Sequence, residues 1–218
     1  MSEWYGMLPL YWTAVKINSL FSERSEKVSD TDFAPLSVSK GGVVPQIATV
    51  AKTNAGDNRK RACIGDYVIN SRSDRRGSSG VSQHDGSVSL INIVLTPRCE
   101  HNSRFFHYLL RSHNFIEEYY RNGRGIAADL WTTRYTEMKG IYLPLPPRTE
   151  QDQIVRYLDW KVSQVNRLIN TKKKQIGLLQ EQKRGVINAA VTRSLNPDAP
   201  MKDSGVEWLG KIPEQWQV

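Results

Sequence analysis

Between Pro147 and Pro197 the chain runs 49 residues without a proline, and its only glycines there are Gly177 and Gly185. Within that run Leu158, Val162, Val165, Ile169, Lys172, Ile176, Leu179, Lys183, Val186 and Ala190 recur alternately four and three residues apart, and eight of the ten are apolar. A heptad seam sustained over more than four heptads is the pattern of a coiled-coil helix, not of a strand or loop. Thr149 is placed to cap it, and Glu150 and Asp152 occupy a first turn where the helix dipole favours negative charge. At 1.5 Å per residue, a helix over 149–193 is roughly 65 Å long. An amphipathic helix folded back on its own domain is the alternative reading. The length of the stripe favours pairing with another helix, through Leu158, Val162, Val165, Ile169, Ile176, Leu179, Val186 and Ala190.

Composition bounds the rest. The 218 residues carry 30 Lys+Arg against 22 Asp+Glu, a net charge of +8, with 39% hydrophobic content. Such a chain can bury a core. No apolar run approaches the ~20 residues of a membrane span, and no basic stretch followed by an apolar one marks a secretory signal. Two cysteines, Cys63 and Cys99, cannot form a disulfide framework or a zinc site alone. The expectation is a soluble, cytoplasmic protein with an anionic partner. Charge is densest in residues 149–193, with nine basic and four acidic side chains; residues 194–218 carry two and four.

Residues 1–148 read as mixed α/β (α+β). Short β-branched runs at Val43–Val50, Tyr67–Asn70 and Val88–Leu95 are bounded by Gly41–Gly42, Gly65–Asp66, Asp85–Gly86 and Pro97. Ser87–Leu95 reads as one buried strand. Arg104–Arg121 reads as a helix stopped by Gly123 and Gly125, because Phe105, Tyr108, Leu109, Phe115, Ile116 and Tyr119 recur at helical spacing. Ser71–Ser82 has no apolar period and reads as an exposed loop. Pro144, Pro146 and Pro147 mark the boundary with the long helix. The predicted organisation is a globular domain over 1–148, the helix over 149–193, and a linker with the start of a second repeat over 194–218.

That repeat lies at the two ends. Glu3, Trp4, Gly6, Pro9 and Trp12 return as Glu207, Trp208, Gly210, Pro213 and Trp216, every pair offset by 204 residues. Two coincident tryptophan pairs carry most of the weight. The period is far longer than that of small solenoid repeats.

These residues resemble a known family. Leu143-Pro144-Leu145-Pro146-Pro147-Arg148-Thr149-Glu150-Gln151, with Ile154-Val155 and Tyr157-Leu158-Asp159 beyond it, is similar to the conserved region of type I restriction-modification specificity subunits. Leu178–Arg184, Ile187 and Ala190-Val191-Thr192 resemble the far end of the same helix. Val206–Gly210, Ile212-Pro213 and Trp216 resemble the opening of the family's target-recognition domains, and Gly65–Asn70 with Gly80–Ser82 and Asp85-Gly86 fits the interior of one. The resemblance implies a target-recognition domain on double-stranded DNA, long helices packed antiparallel, and two domains each reading part of a split target. It implies methyltransferase subunits carrying S-adenosylmethionine chemistry and a restriction subunit carrying ATP chemistry, with no cofactor on this chain. With one domain and one helix, the chain resembles a half-subunit, expected to pair as a homodimer whose helix spaces the half-sites like a ruler.

DNA contact needs basic side chains for phosphates and bidentate donors for base edges. Arg59, Lys60 and Arg61 precede the strand Tyr67–Asn70; Ser71, Arg72, Ser73, Arg75, Arg76 and Ser78 follow it. Arg124, Thr132, Thr133, Arg134 and Tyr135 form a second candidate surface with Arg121 and Trp131, and Lys40 beside Gly41-Gly42 a third. An ordinary soluble loop is the alternative for the first, and core packing for Trp131 and Tyr135. Trp4 and Trp12 read as packing residues. The lysines at 172–174 read as a solvated face, with DNA contact the lesser alternative. No phosphate-binding glycine loop and no metal-ligand spacing occurs in the sequence. Asn196-Pro197-Asp198 only superficially resembles an adenine methyltransferase motif. A stand-alone nuclease or methyltransferase and a coiled-coil adaptor for proteins are the rival readings.

Overall fold

The computed structural model describes residues 4–47, 56–125, 131–196 and 198–217. The chain divides into two units, Met1–Tyr157 and Leu158–Val218. The first holds β1 (Thr13–Lys16), α1 (Ile17–Leu20), β2 (Phe21–Glu23), β3 (Lys27–Val28), β4 (Leu36–Ser39), β5 (Gly42–Pro45), β6 (Arg59–Ala62), β7 (Tyr67–Asn70), β8 (Ser79–Val81), β9 (Gly86–Ser89), β10 (Asn92–Pro97), α2 (Ser103–Leu109), α3 (His113–Arg121), α4 (Tyr135–Met138), β11 (Tyr142–Leu145) and the start of α5 (Arg148–Arg193). Helix and strand are mixed, as the sequence implies.

Strand alternation builds two cores from one sheet. The antiparallel order β2-β10-β7-β8 places β7 and β10 at its centre. Successive strand side chains point to opposite faces. Tyr67 and Ile69 of β7, with Ile93 and Leu95 of β10, enter a core with Phe21, Phe106, Leu110, Phe115, Tyr119 and Leu143. Val68 and Val94 enter the other, with Leu36, Val43, Ala62 and Val88. The second core is completed from the sheet β3-β6-β9 and the hairpin β4-β5. Arg24 donates to both oxygens of the buried Asp66 at 2.9 and 3.3 Å, and the same carboxylate accepts from the Cys63 amide at 2.8 Å.

Five sequence expectations change. Ser87–Leu95 is not one strand: β9 bonds to β6, β10 bonds to β7 and β2, and the chain turns between them at Leu90-Ile91. Asn92 Nδ2 closes that turn on the Ser89 carbonyl at 3.1 Å. The helix over Arg104–Arg121 breaks in two, because Ser112 caps α3 through the Phe115 amide. Ser71–Ser82 is not wholly a loop. Ser79–Val81 pairs with β7 as a buried strand, and its small residues let Gly80 lie close to Gly42 and His107. Helix α5 begins at Arg148, so Thr149 lies inside it. Of the run Val43–Val50, β5 ends at Pro45, and residues 48–50 lie outside the described residues.

The second unit continues α5 to Arg193, where Ser194 adopts a left-handed conformation with φ 73°. Single residues in that conformation terminate helices. A hairpin of β12 (Met201–Asp203) and β13 (Lys211–Pro213) follows. The terminal repeat extends to the backbone. Gly6 and Gly210 have φ of 69° and 63°, and the Trp12 and Trp216 amides each donate to a proline carbonyl three residues back at 2.9 Å.

Two measurements check this packing. A Cβ at Gly123 would press on the Trp131 ring and lie 2.7 Å from Thr133 Oγ1, whereas at Gly177 it meets nothing within 4 Å. In urea unfolding Gly123→Ala should lose about 1–3 kcal/mol by overpacking, and Gly177→Ala should gain about 0.5–1 kcal/mol of helix propensity. His101 packs edge-on to Phe21 and Phe106 at 5.1 and 4.7 Å. Burial, with a smaller effect of the Arg148 cation, holds its imidazole below the ordinary value. Because the unfolded chain takes up that proton first, His101 favours folding fully above about pH 6.5 and progressively less below it. Melting temperatures between pH 7.5 and 5.5 should therefore fall less steeply in His101→Phe.

Candidate nucleic-acid interface

Two of the sequence candidates form one surface. The segment after β7 is stitched to Trp131–Thr133: the Thr133 amide donates to the Ser71 carbonyl at 3.0 Å, and the Ser73 amide to the Trp131 carbonyl at 3.1 Å. Arg72 and Arg124 each bridge to Thr132 in antiparallel fashion. Beneath the stitch, Tyr120 Oη donates to the Arg72 carbonyl at 3.0 Å. Burial pushes that phenol up to about 12, so it stays protonated and holds the bond at physiological pH.

The result is a cleft of about 550 Å³ lined by Lys60, Ser71, Arg72, Leu90, Ile91, Thr132, Arg134, Tyr135 and Thr136, with Glu23, Asn92 and Ile93. Three of its lining residues are basic and one is acidic. Lys60 is held in place by Glu23 at 3.1 Å and by the Asn92 carbonyl at 3.0 Å. Arg72 and Arg134 are exposed. Leu90 and Ile91, each 37% exposed, supply apolar edges. Basic donors beside apolar atoms suit phosphate contact together with contact to base edges or thymine methyls.

Other candidates are committed elsewhere. Arg59 is buried, and its Nε and Nη2 donate to Ser87 Oγ at 2.8 Å and the Ser87 carbonyl at 3.1 Å, so it holds β6 to β9. Ser78 and Thr133 are buried as well, and Thr133 Oγ1 donates to the Tyr119 carbonyl at 3.1 Å. Ser71 is buried, and its hydroxyl donates to the Ile91 carbonyl at 2.5 Å; only its edge reaches the cleft. Tyr135 is anchored through its hydroxyl to the Phe21 carbonyl at 3.0 Å. Arg61 bonds Glu26 at 3.0 Å and lies over the Phe33 ring.

Arg76 faces a different cleft, of about 910 Å³, whose lining includes Trp4, Ser73, Glu117, Glu118, Arg121 and Trp131. There Arg76 bonds Glu117 at 3.1 Å and lies 5.0 Å above the Tyr120 ring, and Arg121 pairs with Glu118. Arginine and glutamate balance in this cleft, which suits a polyanion less than the first. Arg75 is exposed beside Asp74, and Arg124 and Lys40 are exposed but line neither cleft. Sequence reasoning missed Glu23, Leu90, Ile91, Asn92, Ile93 and Thr136. Recognition of the turn at Leu90-Ile91 would have exposed Leu90, Ile91 and Asn92; Glu23 arrives only through the pairing of β2 with β10.

Trp4 and Trp12 pack as expected. Trp4 Nε1 donates to the Tyr142 carbonyl at 2.8 Å, and Trp12 Nε1 to Glu150 at 3.0 Å. Among the described residues no group of three His, Cys, Asp or Glu side chains could hold a metal, and no helix is long and apolar enough to cross a membrane.

Comparison with known proteins places this arrangement. No protein-family model matches the chain. In sequence it is similar to type I restriction enzyme specificity subunits of Methanocaldococcus jannaschii. It is 36% identical to the MjaX subunit over 83 residues, which is 38% of this chain and 18% of that one. It is 36% identical to the MjaVIII subunit over 80 residues, 37% and 17% of the two chains. In fold it is similar to a chain of a type I restriction-modification complex, with a TM-score of 0.63 at 20% identity over 85% of this chain and 47% of that one. It is also similar to the HsdS subunit of Thermoanaerobacter tengcongensis, with a TM-score of 0.57 at 20% identity over 85% and 46%. The S subunit from M. genitalium gives 0.51 at 15% identity over 90% and 50%. The matched stretch is under a fifth of each curated relative, and the chain spans about half of each solved one.

Proposed function

We propose that this chain is a DNA sequence-recognition subunit of a type I restriction-modification system and reads one part of a split target in double-stranded DNA. The observation that carries the reading is the cleft where Lys60, Arg72 and Arg134 converge beside Leu90 and Ile91. In this reading the chain performs no bond chemistry. It positions DNA for methyltransferase subunits that supply S-adenosylmethionine chemistry and for a restriction subunit that supplies ATP chemistry. Helix α5 provides the docking surface for the methyltransferase subunits and for a second copy of the chain, so that two domains read two half-sites. The complex works in the cytoplasm. The domain boundaries follow the same logic: recognition over 1–148, helix over 149–193, and a repeat opening over 194–218.

Methylome sequencing of a host expressing the chain with a cognate methyltransferase should show methylation at one bipartite motif; random or absent methylation overturns the reading. Within the interface the arginines separate. Arg72→Ala should weaken binding to that motif by about 1–3 kcal/mol and relax the choice of base at one position if it contacts a base edge. Arg134→Ala should weaken binding on all sequences and flatten the salt dependence if it contacts phosphate. Arg76→Ala should leave base choice unchanged, because its guanidinium is engaged with Glu117 and Tyr120. Fluorescence anisotropy across a salt series measures all three.

A further inference from the structure

The basic cleft carries one carboxylate. Among its lining residues Glu23 alone is acidic, beside Lys60, Arg72 and Arg134. Glu23 ends β2 and pairs with Leu95 of β10 at the edge of the four-stranded sheet. Its side chain keeps 29% of its surface exposed, and that of Lys60 15%. Contact with phosphate does not account for it, because like charges set against each other weaken binding.

The hydrogen-bonding capacity of this pair is only partly used. Glu23 Oε1 accepts from Lys60 Nζ at 3.1 Å, and the same ammonium donates to the Asn92 carbonyl at 3.0 Å. An ammonium has three N–H groups, and an ionised carboxylate accepts at both oxygens. Among the described residues Glu23 Oε2 accepts no bond, and the third Lys60 N–H donates none. One free acceptor therefore stands beside one free donor. Other carboxylates of the first unit differ. Asp66 uses both oxygens on Arg24 and the Cys63 amide, and Glu117 uses both on Arg76. The pair also joins the four-stranded sheet to the sheet β3-β6-β9. That strut needs one oxygen and explains neither the open one nor its place in the cleft.

Base edges account for both. In the major groove cytosine N4 and adenine N6 are donors, and each has an acceptor beside it: guanine O6 across the C·G pair, or N7 on adenine itself. A free carboxylate oxygen matches the amine, and the neighbouring ammonium matches the acceptor. Leu90 and Ile91 border the same cleft, and the apolar group they suit, the thymine methyl, lies in the same groove. A carboxylate here also rejects. Guanine O6 or thymine O4 set against Glu23 would bring two acceptors together and leave both without a donor. Discrimination then comes from repulsion as well as attraction. The bond to Lys60 fixes the Glu23 side chain before DNA arrives, which lowers the cost of ordering it on binding.

We propose that Glu23 reads a base: its free carboxylate oxygen accepts from an exocyclic amine, cytosine N4 or adenine N6, in the major groove, while Lys60 holds it and donates to the base acceptor alongside. The inference rests on the proposed DNA-reading function and names one chemical group that it recognises. Selection from a library of random duplexes, by the full chain alone and with a cognate methyltransferase, gives the preferred motif of the unaltered protein and of Glu23→Ala. The variant should lose base choice at one position of the motif and keep it at the others. A C·G pair at that position assigns cytosine N4, and an A·T pair adenine N6. Glu23→Met keeps the aliphatic stem and serves where Glu23→Ala does not fold. Fluorescence anisotropy then uses duplexes whose base at that position lacks the amine, 2-pyrimidinone for cytosine or purine for adenine. Removing the amine should weaken the unaltered protein roughly 5- to 100-fold, the range of one good base contact. It should weaken the variant by less than about 2-fold, and the cycle cancels changes in duplex or protein stability. An equal loss in both proteins overturns the contact. So does equal tightening of the variant on every duplex, which means that the carboxylate only tempers the charge of the cleft. An unaltered protein that enriches no motif refutes the DNA-reading function itself, whereas a motif that Glu23→Ala enriches unrelaxed refutes the role of Glu23 alone.

Discussion

The first unit depends on one clasp between its two ends. Strand β1 pairs with β11 over four residue pairs, from Thr13 opposite Leu145 to Lys16 opposite Tyr142. Two tryptophan N–H groups lock the same ends, Trp4 on the Tyr142 carbonyl and Trp12 on the Glu150 carboxylate, and the Tyr11 hydroxyl adds a second bond to Glu150 at 3.3 Å. Charge-assisted bonds of this kind are stronger than neutral ones. Glu150 also sits in the first turn of α5, where the helix dipole favours its charge. The clasp therefore fixes the start of the long helix to the domain that carries the basic cleft.

The proline-rich boundary has its physical reason there. Among the described residues Pro144 lies in a strand with β1 as its single neighbour, where the missing N–H costs no ladder bond to a second strand. The Pro147 carbonyl accepts from the Glu150 and Gln151 amides, both at 3.0 Å, and so starts the helix. Gln151 is buried; its amide donates to the Pro146 carbonyl at 3.0 Å and its carbonyl oxygen accepts from the Asn102 amide at 3.2 Å. Glutamate and glutamine stand side by side because adjacent positions on a helix face different neighbours. One grips the amino-terminal segment and the other ties the approach to α2.

The long helix was legible in the sequence because its signal is local and repeated over many turns. The basic cleft was only partly legible, for a reason that Arg59 and Arg72 illustrate. Both are arginines flanking the same strand, yet Arg59 is spent inside on Ser87, and Arg72 emerges beside a stitched turn. Which of them is exposed depends on the pairing of β6 with β9, which sets Arg59 opposite Ser89, 30 positions on, and which no local pattern records. Ser87–Leu95 shows the same limit in reverse. Its apolar run is continuous, and only the exchange of hydrogen-bonding partners from β6 to β7 reveals the turn that exposes Leu90 and Ile91. Periodicity cannot separate a buried strand from two strands joined by an apolar turn.

The terminal repeat separates what sequence alone imposes from what packing imposes. Around Trp4 the segment is docked, with its ring 5.5 Å from Phe115. Around Trp208 the ring is 84% exposed. Yet the left-handed glycine and the proline-to-tryptophan turn recur in both with nearly equal φ and identical hydrogen-bond lengths. A conformation kept with and without its dock is encoded locally, by glycine at positive φ and by proline preceding the turn. Docking then adds only the side-chain bonds. The opposite holds for the distal part of α5. Its apolar seam has the periodicity of a packed surface and the exposure of an unpacked one, and no local rule makes such a seam favourable in water. The same chain thus holds one segment whose shape is set locally and one whose exposed apolar surface no local rule explains.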